Sequence, residues 1–242
     1  MCTVTIFGEK NGFIFTSNRD EHISRVVQTH PIIKSIQSIQ VMFPQDPLAG
    51  GTWFATNELG GTAVLLNGAF TKHVRSPNYR LSRGVVLLQV LNTSYPLTSL
   101  HDIDLESIEP FTMILLVEDE LTEFRWDGLK KHVLTLEKNT PHIFSSATLY
   151  DQTQRQLREN LFNQFLNEGS VKNAETIFDF HAQTNNDSHN GFVMQRSDVL
   201  RTLSITQVIT TAAGSKMKHY DVLSEITYHT ELVRKLKVVN QN

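Results

Sequence analysis

The sequence predicts an α+β protein whose strands form antiparallel sheets covered by helices. Two observations predict this class. Short β-forming or apolar segments joined by tight turns open the chain and recur in its middle and at its end, and stretches with apolar residues at helical spacing lie between them. Because strands and helices are grouped rather than strictly alternating, we expect a segregated α+β fold. Two sheets with helices on both outer sides fit this order.

The first half of the chain is predicted to begin with a hairpin. The β-forming residues 3–7 and 13–15 flank the dipeptide Asn11-Gly12, which is a hairpin turn signal. Residues 23–47 show no clear period, and we expect an irregular loop there. A second hairpin and two helices follow, over residues 53–67, 82–92 and 96–108.

The second half is predicted to contain a strand meander, two helices and a terminal hairpin. The run TMILLV indicates a strand that is buried on both faces. The first of these helices is closed by Gly169 at C′ and has one apolar face, formed by Leu157, Leu161, Phe162 and Phe165. In order, we expect strands over 111–118, 120–126, 130–137 and 142–149, helices over 151–168 and 171–183, and strands over 201–212 and 216–223.

Composition and charge are those of an ordinary globular chain, which we interpret as a single domain over residues 1–242. Of the 242 residues, 40% are hydrophobic and 19% are charged, and the formal net charge is −3. Because no block of Lys and Arg is long enough to follow a phosphate backbone, we expect no nucleic-acid partner. No apolar run approaches the roughly 20 residues that span a bilayer, and no secretory signal begins the chain. We expect a cytoplasmic protein without stable membrane insertion, and assembly into a homo-oligomer stays open.

The only cysteine, Cys2, follows the initiator methionine. Removal of that methionine would leave Cys2 with a free α-amine, whose ordinary pKa of about 7.7–8.0 lies close to cellular pH. This amine can accept the thiol proton and later pass it to a leaving group, so that one residue supplies both nucleophile and base. If the first hairpin pivots on Asn-Gly, residues 19–21 lie opposite residues 2–4, which brings Arg19 and Asp20 close to the thiol. A neighbouring guanidinium lowers the pKa of a thiol.

The residues alone leave two other interpretations of this terminus open. Cys2 is an inert thiol beside an exposed turn, or it is an acylated cysteine near a membrane, although no basic or amphipathic stretch adjoins it. A single cysteine also excludes an intramolecular disulfide.

Three further residues are candidates for substrate binding. Trp53 follows two glycines and forms either the aromatic wall of an acyl pocket or a core tryptophan beside a bulge. Arg80 and Arg83 flank Ser82, the predicted N-cap of a helix, and offer either a cationic mouth for an acidic head group or ion pairs with nearby acids. None of the ten histidines has metal-ligand spacing, so we expect no metal and no cofactor.

Several segments, in this order, resemble the NRDE family, also called the transport and Golgi organisation protein 2 family: MCTVTIF, SNRDE, GGTWFATNELGGTAVLLN and YRLSRG. The strong part of the match covers residues 1–90. The N-terminal half is also similar to the cysteine branch of the N-terminal-nucleophile (Ntn) hydrolases, which includes penicillin V acylase, bile salt hydrolase and acid ceramidase. This resemblance implies a four-layer αββα fold with two stacked antiparallel sheets.

The resemblance also implies site residues, position by position. Cys2 would be the nucleophile, with Arg19 and Asp20 as its supporting pair. Asn67, which ends a strand after an Asn-Glu-Leu-Gly turn, would be the oxyanion-hole amide.

Two later positions correspond less closely to the hydrolase pattern. Ser146 stands where those hydrolases carry a second asparagine, and as a shorter donor it is a fourth candidate for substrate binding. Arg201 lies near the position of a late arginine, aligned with residues 203–206, but it is out of phase with that position. In a regular strand it would point to the other face.

We therefore expect an Ntn-type amidohydrolase that acts on a carbon–nitrogen bond other than a peptide bond, or on a related acyl bond, of a small amphipathic substrate. The resemblance leaves one alternative open. The same pocket would then serve a non-catalytic carrier or trafficking factor for a lipid, acyl-CoA or haem-like ligand.

Overall fold

The computed structural model describes residues 3–25, 30–76 and 78–235. Within these ranges the chain forms four α-helices: α1 (Arg83–Leu91), α2 (Pro96–Asp102), α3 (Gln152–Asn167) and α4 (Ala174–His181). A short 3₁₀ helix covers Ile23–Arg25. The strands described there are β1 (Thr3–Glu9), β2 (Gly12–His22), β3 (Ile32–Ile36), β4 (Ile39–Phe43), β5 (Phe54–Asn57), β6 (Thr62–Asn67), β7 (Phe111–Val117), β8 (Glu120–Trp126), β9 (Lys131–Leu136), β10 (His142–Ser145), β11 (Leu200–Thr211), β12 (Gly214–Asp221) and β13 (Ile226–Val233).

The strands form two antiparallel sheets, as the sequence predicts. Sheet A has six strands in the order β10-β1-β2-β11-β12-β13, and sheet B has seven in the order β3-β4-β5-β6-β7-β8-β9. Helices α1 and α2 cover the outer face of sheet B, where Leu87 and Leu100 join its apolar side chains. Helices α3 and α4 cover the outer face of sheet A, where Phe162 and Phe180 pack with Phe7. The four-layer αββα prediction is therefore confirmed.

Side chains of β2 alternate between the two interfaces of sheet A. Phe13 and Phe15 point between the sheets and pack with Phe54 of sheet B. Ile14 points outward and packs among the side chains of α3 and α4. This alternation continues to the end of the strand, because successive residues of a strand face opposite sides. Odd-numbered residues of β2 therefore face sheet B, and even-numbered residues face the helices.

The prediction of an irregular loop over residues 23–47 is wrong, because β3 and β4 lie within it. The terminal strand β13 was also not predicted. Both β3 and β13 are edge strands whose side chains are mostly exposed. Strand β3 has no regular apolar alternation, whereas β13 has one, with Tyr228, Thr230 and Leu232 on its less exposed face, which is a signal that sequence reasoning missed.

The predicted apolar face of helix α3 is confirmed in part, since Phe162 and Phe165 are buried and Leu161 packs against the same cluster. Its buried residues are Arg158, Phe162 and Phe165, whereas Leu157 is 37% exposed. Gly169 does follow the helix, but the chain leaves α3 in an extended conformation at the C-cap Glu168 rather than through a left-handed glycine.

The predicted cap of α1 is confirmed, since Ser82 Oγ accepts the N–H of Val85. Helix α2 is shorter than predicted and ends at Asp102, after which Ile103 is extended.

Candidate active site

A cavity of about 600 Å³ opens where β2 and β6 end, between the edges of the two sheets. Its other walls come from residues 46–53, from residues 75–76 and 79–82, and from the first turn of α1. Gly51 and Gly84 allow two of these walls to meet. A Cβ on Gly51 would lie 2.4 Å from the carbonyl carbon of Gly84, and a Cβ on Gly84 would lie 2.4 Å from the carbonyl oxygen of Thr52.

Arg19 is fixed in the buried part of this cavity. Its Nη2 lies 3.3 Å from Oδ2 of Asp46, and its Nη1 donates to the carbonyl oxygen of Arg25 at 3.0 Å. Its guanidinium carbon is 4.3 Å from the ring centroid of Trp53. Arg19 is only 3% exposed, so it presents a positive charge held in one orientation against an aromatic face.

Asp46 is a site residue that sequence reasoning missed. Its Oδ2 pairs with Arg19 and, at 2.9 Å, with Nη2 of Arg25. Its Oδ1 accepts the N–H groups of Leu48 and Ala49 at 3.1 and 3.2 Å. One carboxylate thus orients two guanidinium groups. An Asp-Pro dipeptide is a known turn signal whose side chain bonds backbone N–H groups further on, and it is the one sign that the sequence carries.

Glu21 lies on the same face of β2 as Arg19 and also lines the cavity. Its carboxylate accepts the N–H of His22 at 3.0 Å and lies 3.8 Å from Nη1 of Arg25. Burial alone would raise the pKa of Glu21, but the N–H of His22 and the charges of Arg25 and Arg19 help to outweigh it. The pKa therefore lies below its ordinary value.

Asp20 points away from the cavity, toward the helices that cover sheet A. Its carboxylate accepts the hydroxyl of Tyr150 and, at 2.5 Å, that of Thr202. It is 3% exposed. Arg19 and Asp20, predicted as a pair beside the thiol, therefore lie on opposite faces of β2.

The predicted register of the first hairpin is displaced by two residues. Thr3 lies opposite Asn18, and Glu9 lies opposite Gly12, so the turn is centred on Lys10 and Asn11 instead of on Asn11 and Gly12. A shift of two residues leaves each side chain on its predicted face. Cys2, the predicted nucleophile, lies outside the described residues.

Asn18 binds β2 to helix α4. Its Nδ2 donates to the carbonyl oxygens of His181 and Phe192 at 3.0 and 2.9 Å, and its Oδ1 accepts from Nδ1 of His181. Nε2 of the same imidazole accepts from the hydroxyl of Thr5 at 2.7 Å. Complete burial lowers the pKa of His181 to about 3, so the ring is neutral at physiological pH.

Arg158 of α3 is a second residue that sequence reasoning missed. It is fully buried, its Nε donates to Oγ1 of Thr3 at 3.1 Å, and its Nη2 donates to the carbonyl oxygen of Gly191 at 2.9 Å. Its guanidinium carbon lies 3.7 Å from the ring centroid of Tyr150. Its position four residues before Phe162, on the apolar face of α3, is the available signal.

Asn67 lines the cavity at the end of β6. Its side-chain amide makes no hydrogen bond with any residue in the described part of the chain, so it is available as a donor. Ser146 is buried behind it, and its Oγ donates to the main-chain oxygen of Asn67 at 2.9 Å. The structure thus places Ser146 next to Asn67 but not among the described residues that line the cavity.

The other three candidates for substrate binding, beside Ser146, occupy different places. Trp53 lines the cavity and, at 7% exposure, also belongs to the core between the sheets. Arg83 lines the cavity, with Nη2 3.2 Å from the carboxylate of Glu109. Arg80 lies outside the set of described lining residues, and its Nη2 bonds the carboxylate of Asp104 at 2.9 Å.

A bulge in β11 changes the direction of Arg201. Arg201 pairs with Glu21 and Ser204 pairs with Arg19, so Leu203 is an extra residue between them. Paired residues of antiparallel strands lie on the same face, and Arg201 therefore shares the face of Arg19 and Ser204. The prediction that Arg201 points to the other face is wrong, because it assumed a regular strand.

The described residues contain no group of three or more His, Cys, Asp or Glu side chains that could hold a metal ion. The longest helix in these ranges, α3, has 16 residues and is largely polar. None of the described helices is long and apolar enough to cross a membrane.

A comparison with protein families matches the family described as Transport and Golgi organisation 2 to residues 1–153. A search of curated protein sequences found no significant match.

A solved amidase structure shares the fold. The Caenorhabditis elegans orthologue of N-acylethanolamine-hydrolyzing acid amidase is 12% identical, and the alignment covers 86% of this chain and 92% of that chain with a TM-score of 0.59. Two variants of conjugated bile acid hydrolase from Clostridium perfringens are 13% and 14% identical, with TM-scores of 0.48 and 0.49. Their alignments cover 99% of this chain and 100% of each of theirs. At such low identity, the similarity to the nematode amidase establishes an Ntn-hydrolase-like fold and nothing finer.

Proposed function

The chain belongs to the Transport and Golgi organisation 2 family, and on this premise we propose that it is an N-terminal-cysteine hydrolase that cleaves an amide, or a related acyl bond, of a small amphipathic substrate. The observation that carries the proposal is the cavity. On an Ntn-type fold it combines the fixed guanidinium of Arg19, the aromatic wall of Trp53 and the unengaged amide of Asn67. The nematode protein of similar fold is by name an amidase, which supports an amide as the bond that is cleaved.

In the proposed reaction Cys2 is the nucleophile and its own α-amine is the base. The thiol proton passes to the amine while sulfur attacks the carbonyl carbon, and the side chain of Asn67 donates to the resulting oxyanion. Collapse of this intermediate breaks the carbon–nitrogen bond, and the leaving amine takes the proton from the α-ammonium. Water then hydrolyses the thioester with the same base, which releases a carboxylic acid and restores the thiol.

The charged pair has two separate roles in this proposal. Arg19 lowers the pKa of the thiol through its positive charge. Asp20 acts as a positioning residue, since its bonds to Tyr150 and Thr202 fix the end of β2 from the side opposite the cavity.

Intact-mass measurement and labelling test the nucleophile. The mature protein should lack Met1, and Cys2→Ala should lose both labelling by a thiol-directed acyl probe and turnover of a panel of N-acylethanolamines, N-acyl amino acids and acyl thioesters. An active protein that retains Met1 contradicts the mechanism, because the α-amine of Cys2 would then be part of a peptide bond.

Substitution of Asn67 tests the oxyanion donor. We expect Asn67→Ala to lower kcat by about 10²–10³-fold, as the loss of one oxyanion donor does elsewhere. KM should change little, because the hydrogen bond forms in the transition state. Asn78→Ala is the matched control, since Asn78 is exposed and is not among the described lining residues. Equal kcat values for the two variants would remove Asn67 from the mechanism.

One observation favours a second function, a non-catalytic carrier of a lipid, acyl-CoA or haem-like ligand. Ser146, which stands at the position of a second donor, is engaged behind Asn67 instead of facing the cavity. If the carrier function holds, Cys2→Ala should retain ligand as tightly as the unmodified chain, and neither should turn over any member of the panel.

A further inference from the structure

The cavity is lined by more positive than negative side chains. Its described lining contains four arginines and three carboxylates, which are Arg19, Arg25, Arg75, Arg83, Glu21, Asp46 and Glu109. The cavity wall therefore has an excess of one positive charge before any ligand enters.

The excess is located at Arg75. Arg19 and Arg25 share the carboxylate of Asp46, Arg25 also lies 3.8 Å from the carboxylate of Glu21, and Arg83 pairs with Glu109. Arg75 is exposed, and its side chain makes no ion pair or hydrogen bond with the residues that the structure describes. Its guanidinium is therefore available to bind an anion from solution.

Arg83 adds to the positive potential at the same place. Burial lowers the pKa of Arg83, the carboxylates of Glu109 and Glu21 oppose this, and the charges of Arg75 and Arg25 lower the pKa further. Arg75 and Arg25 thus lie within electrostatic reach of Arg83. Ser82 and the first turn of α1 also line the cavity, and the first N–H groups of a helix favour negative charge.

The buried wall of the cavity carries apolar side chains beside Arg19. Leu65 is 4% exposed and Trp53 is 7% exposed, and the half-buried Leu81 and Ala49 also line the cavity. A ligand that satisfies both regions has a charged end outside and an apolar chain inside.

We propose that Arg75 and Arg83 form a subsite for the anionic group, a carboxylate or a phosphate, of an amphiphile whose chain lies against Trp53 and Leu65. This deepens the proposed function and rests on it for one point, the position of the scissile bond at Cys2. The preference for an anion follows from the cavity wall itself and can be measured without turnover.

Binding to the Cys2→Ala chain separates the two proposals. Calorimetric titration with N-octanoylglycine, octyl phosphate and the neutral N-octanoylglycinamide compares three head groups on the same chain length. We expect at least one anion to bind about ten-fold more tightly than the neutral ligand at low salt, with a difference that shrinks as salt rises. A response of only one anion to Arg75→Gln identifies the head group as a carboxylate or a phosphate.

Arg75→Gln should weaken binding of the favoured anion about five-fold, as expected for an exposed charge pair, and leave the neutral ligand unchanged. Arg80→Gln is the matched control. It removes the same charge five positions along the chain, from a guanidinium that pairs with Asp104 outside the described lining. Thermal unfolding should show both variants folded, since both side chains are exposed.

Three results would overturn the subsite: equal affinity for charged and neutral ligands, an equal effect of the two substitutions, or an equal loss for anion and amide. If the anion preference holds but the unmodified chain cleaves nothing, the subsite stands and the hydrolase proposal fails. If neutral amides are cleaved without an anion preference, the reverse conclusion follows.

Discussion

The two faces of the end of β2 carry similar polar side chains and use them differently. On the face toward sheet B, Arg19 and Glu21 line an open cavity. On the face toward the helices, Asn18 and Asp20 bond to buried groups of the surrounding layers. Alternate residues of one short motif therefore have two different roles. Those on one face present charge to the cavity, and those on the other face hold the layers together.

The helix-facing side should be the more sensitive to substitution. A buried polar group that loses its partner keeps its desolvation penalty without the compensating bond, whereas a group beside a cavity can be rehydrated. The predictions below test this difference, from the largest expected effect to the smallest.

Asn18→Ala should lower the free energy of unfolding by about 3 kcal/mol, because it removes the partner of the carbonyl oxygen and of Nδ1 of His181 and leaves the carbonyl oxygen of Phe192 with only the longer bond from Thr202. Urea denaturation measures the change. Asn160→Ala, at an exposed position of α3, is the control and should stay within about 0.5 kcal/mol of the unmodified chain. Similar losses for both variants would contradict a structural role for Asn18.

Acidification should lower the free energy of unfolding through His181, which binds Asn18 on the helix-facing side of β2. Burial lowers its pKa to about 3, whereas the unfolded chain titrates at about 6.5, so the unfolded state binds more protons between these values. The stability is complete above pH 6.5 and falls with decreasing pH, by up to about 1.4 kcal/mol per pH unit for this residue. His219, whose pKa burial lowers to about 4, adds to the slope.

Denaturation midpoints between pH 4 and 7 in His181→Gln measure the contribution of His181. The free energy of unfolding of this variant should depend less steeply on pH, and the remaining slope should include the contribution of His219. His101→Gln, at an exposed position, should keep the original slope. A His181→Gln slope equal to that of the unmodified chain would show that the imidazole titrates normally.

Arg19→Gln should have the smallest effect on stability, about 1 kcal/mol, because Asp46 keeps its ion pair with Arg25. Its effect should instead appear at the proposed nucleophile. The pH at which alkylation of Cys2 by iodoacetamide is half-maximal should rise by about 0.5–1 unit when the nearby positive charge is removed. A large loss of stability with no change in this midpoint would place Arg19 with the structural residues of the other face.

Most of the fold could be predicted from the sequence, because most of its strands have at least one buried face and therefore an apolar pattern. The buried run of β7 and the hairpin of β5 and β6 are examples. The edge strand β3 lacks this pattern, and β13 shows it only weakly, with Leu232 as its one buried residue. The register error in the first hairpin has a similar cause, since Asn-Gly marks a turn without showing which pair of residues occupies its centre.

Residues of the candidate site could be predicted only where they belong to a recognisable motif. Arg19, Asp20 and Asn67 follow from the resemblance, but the separation of Arg19 from Asp20 follows from strand alternation. Asp46 and Arg158 could not be assigned in advance, because each gains its role from residues far away in the chain. The position of Arg158 on the apolar face of α3 indicates burial, but it does not show which groups the guanidinium binds.

The bulge at Leu203 has a consequence for how this family of sites can diverge. Removal of a single codon there would straighten β11 and turn Arg201 and Thr202 to the opposite faces of the sheet. The hydroxyl that now bonds Asp20 would then lie on the face toward sheet B, and a cationic side chain would lie on the face toward the helices. A one-residue deletion or insertion at this point can therefore exchange the chemistry of two surfaces in one evolutionary step, without any change in the identity of the side chains involved.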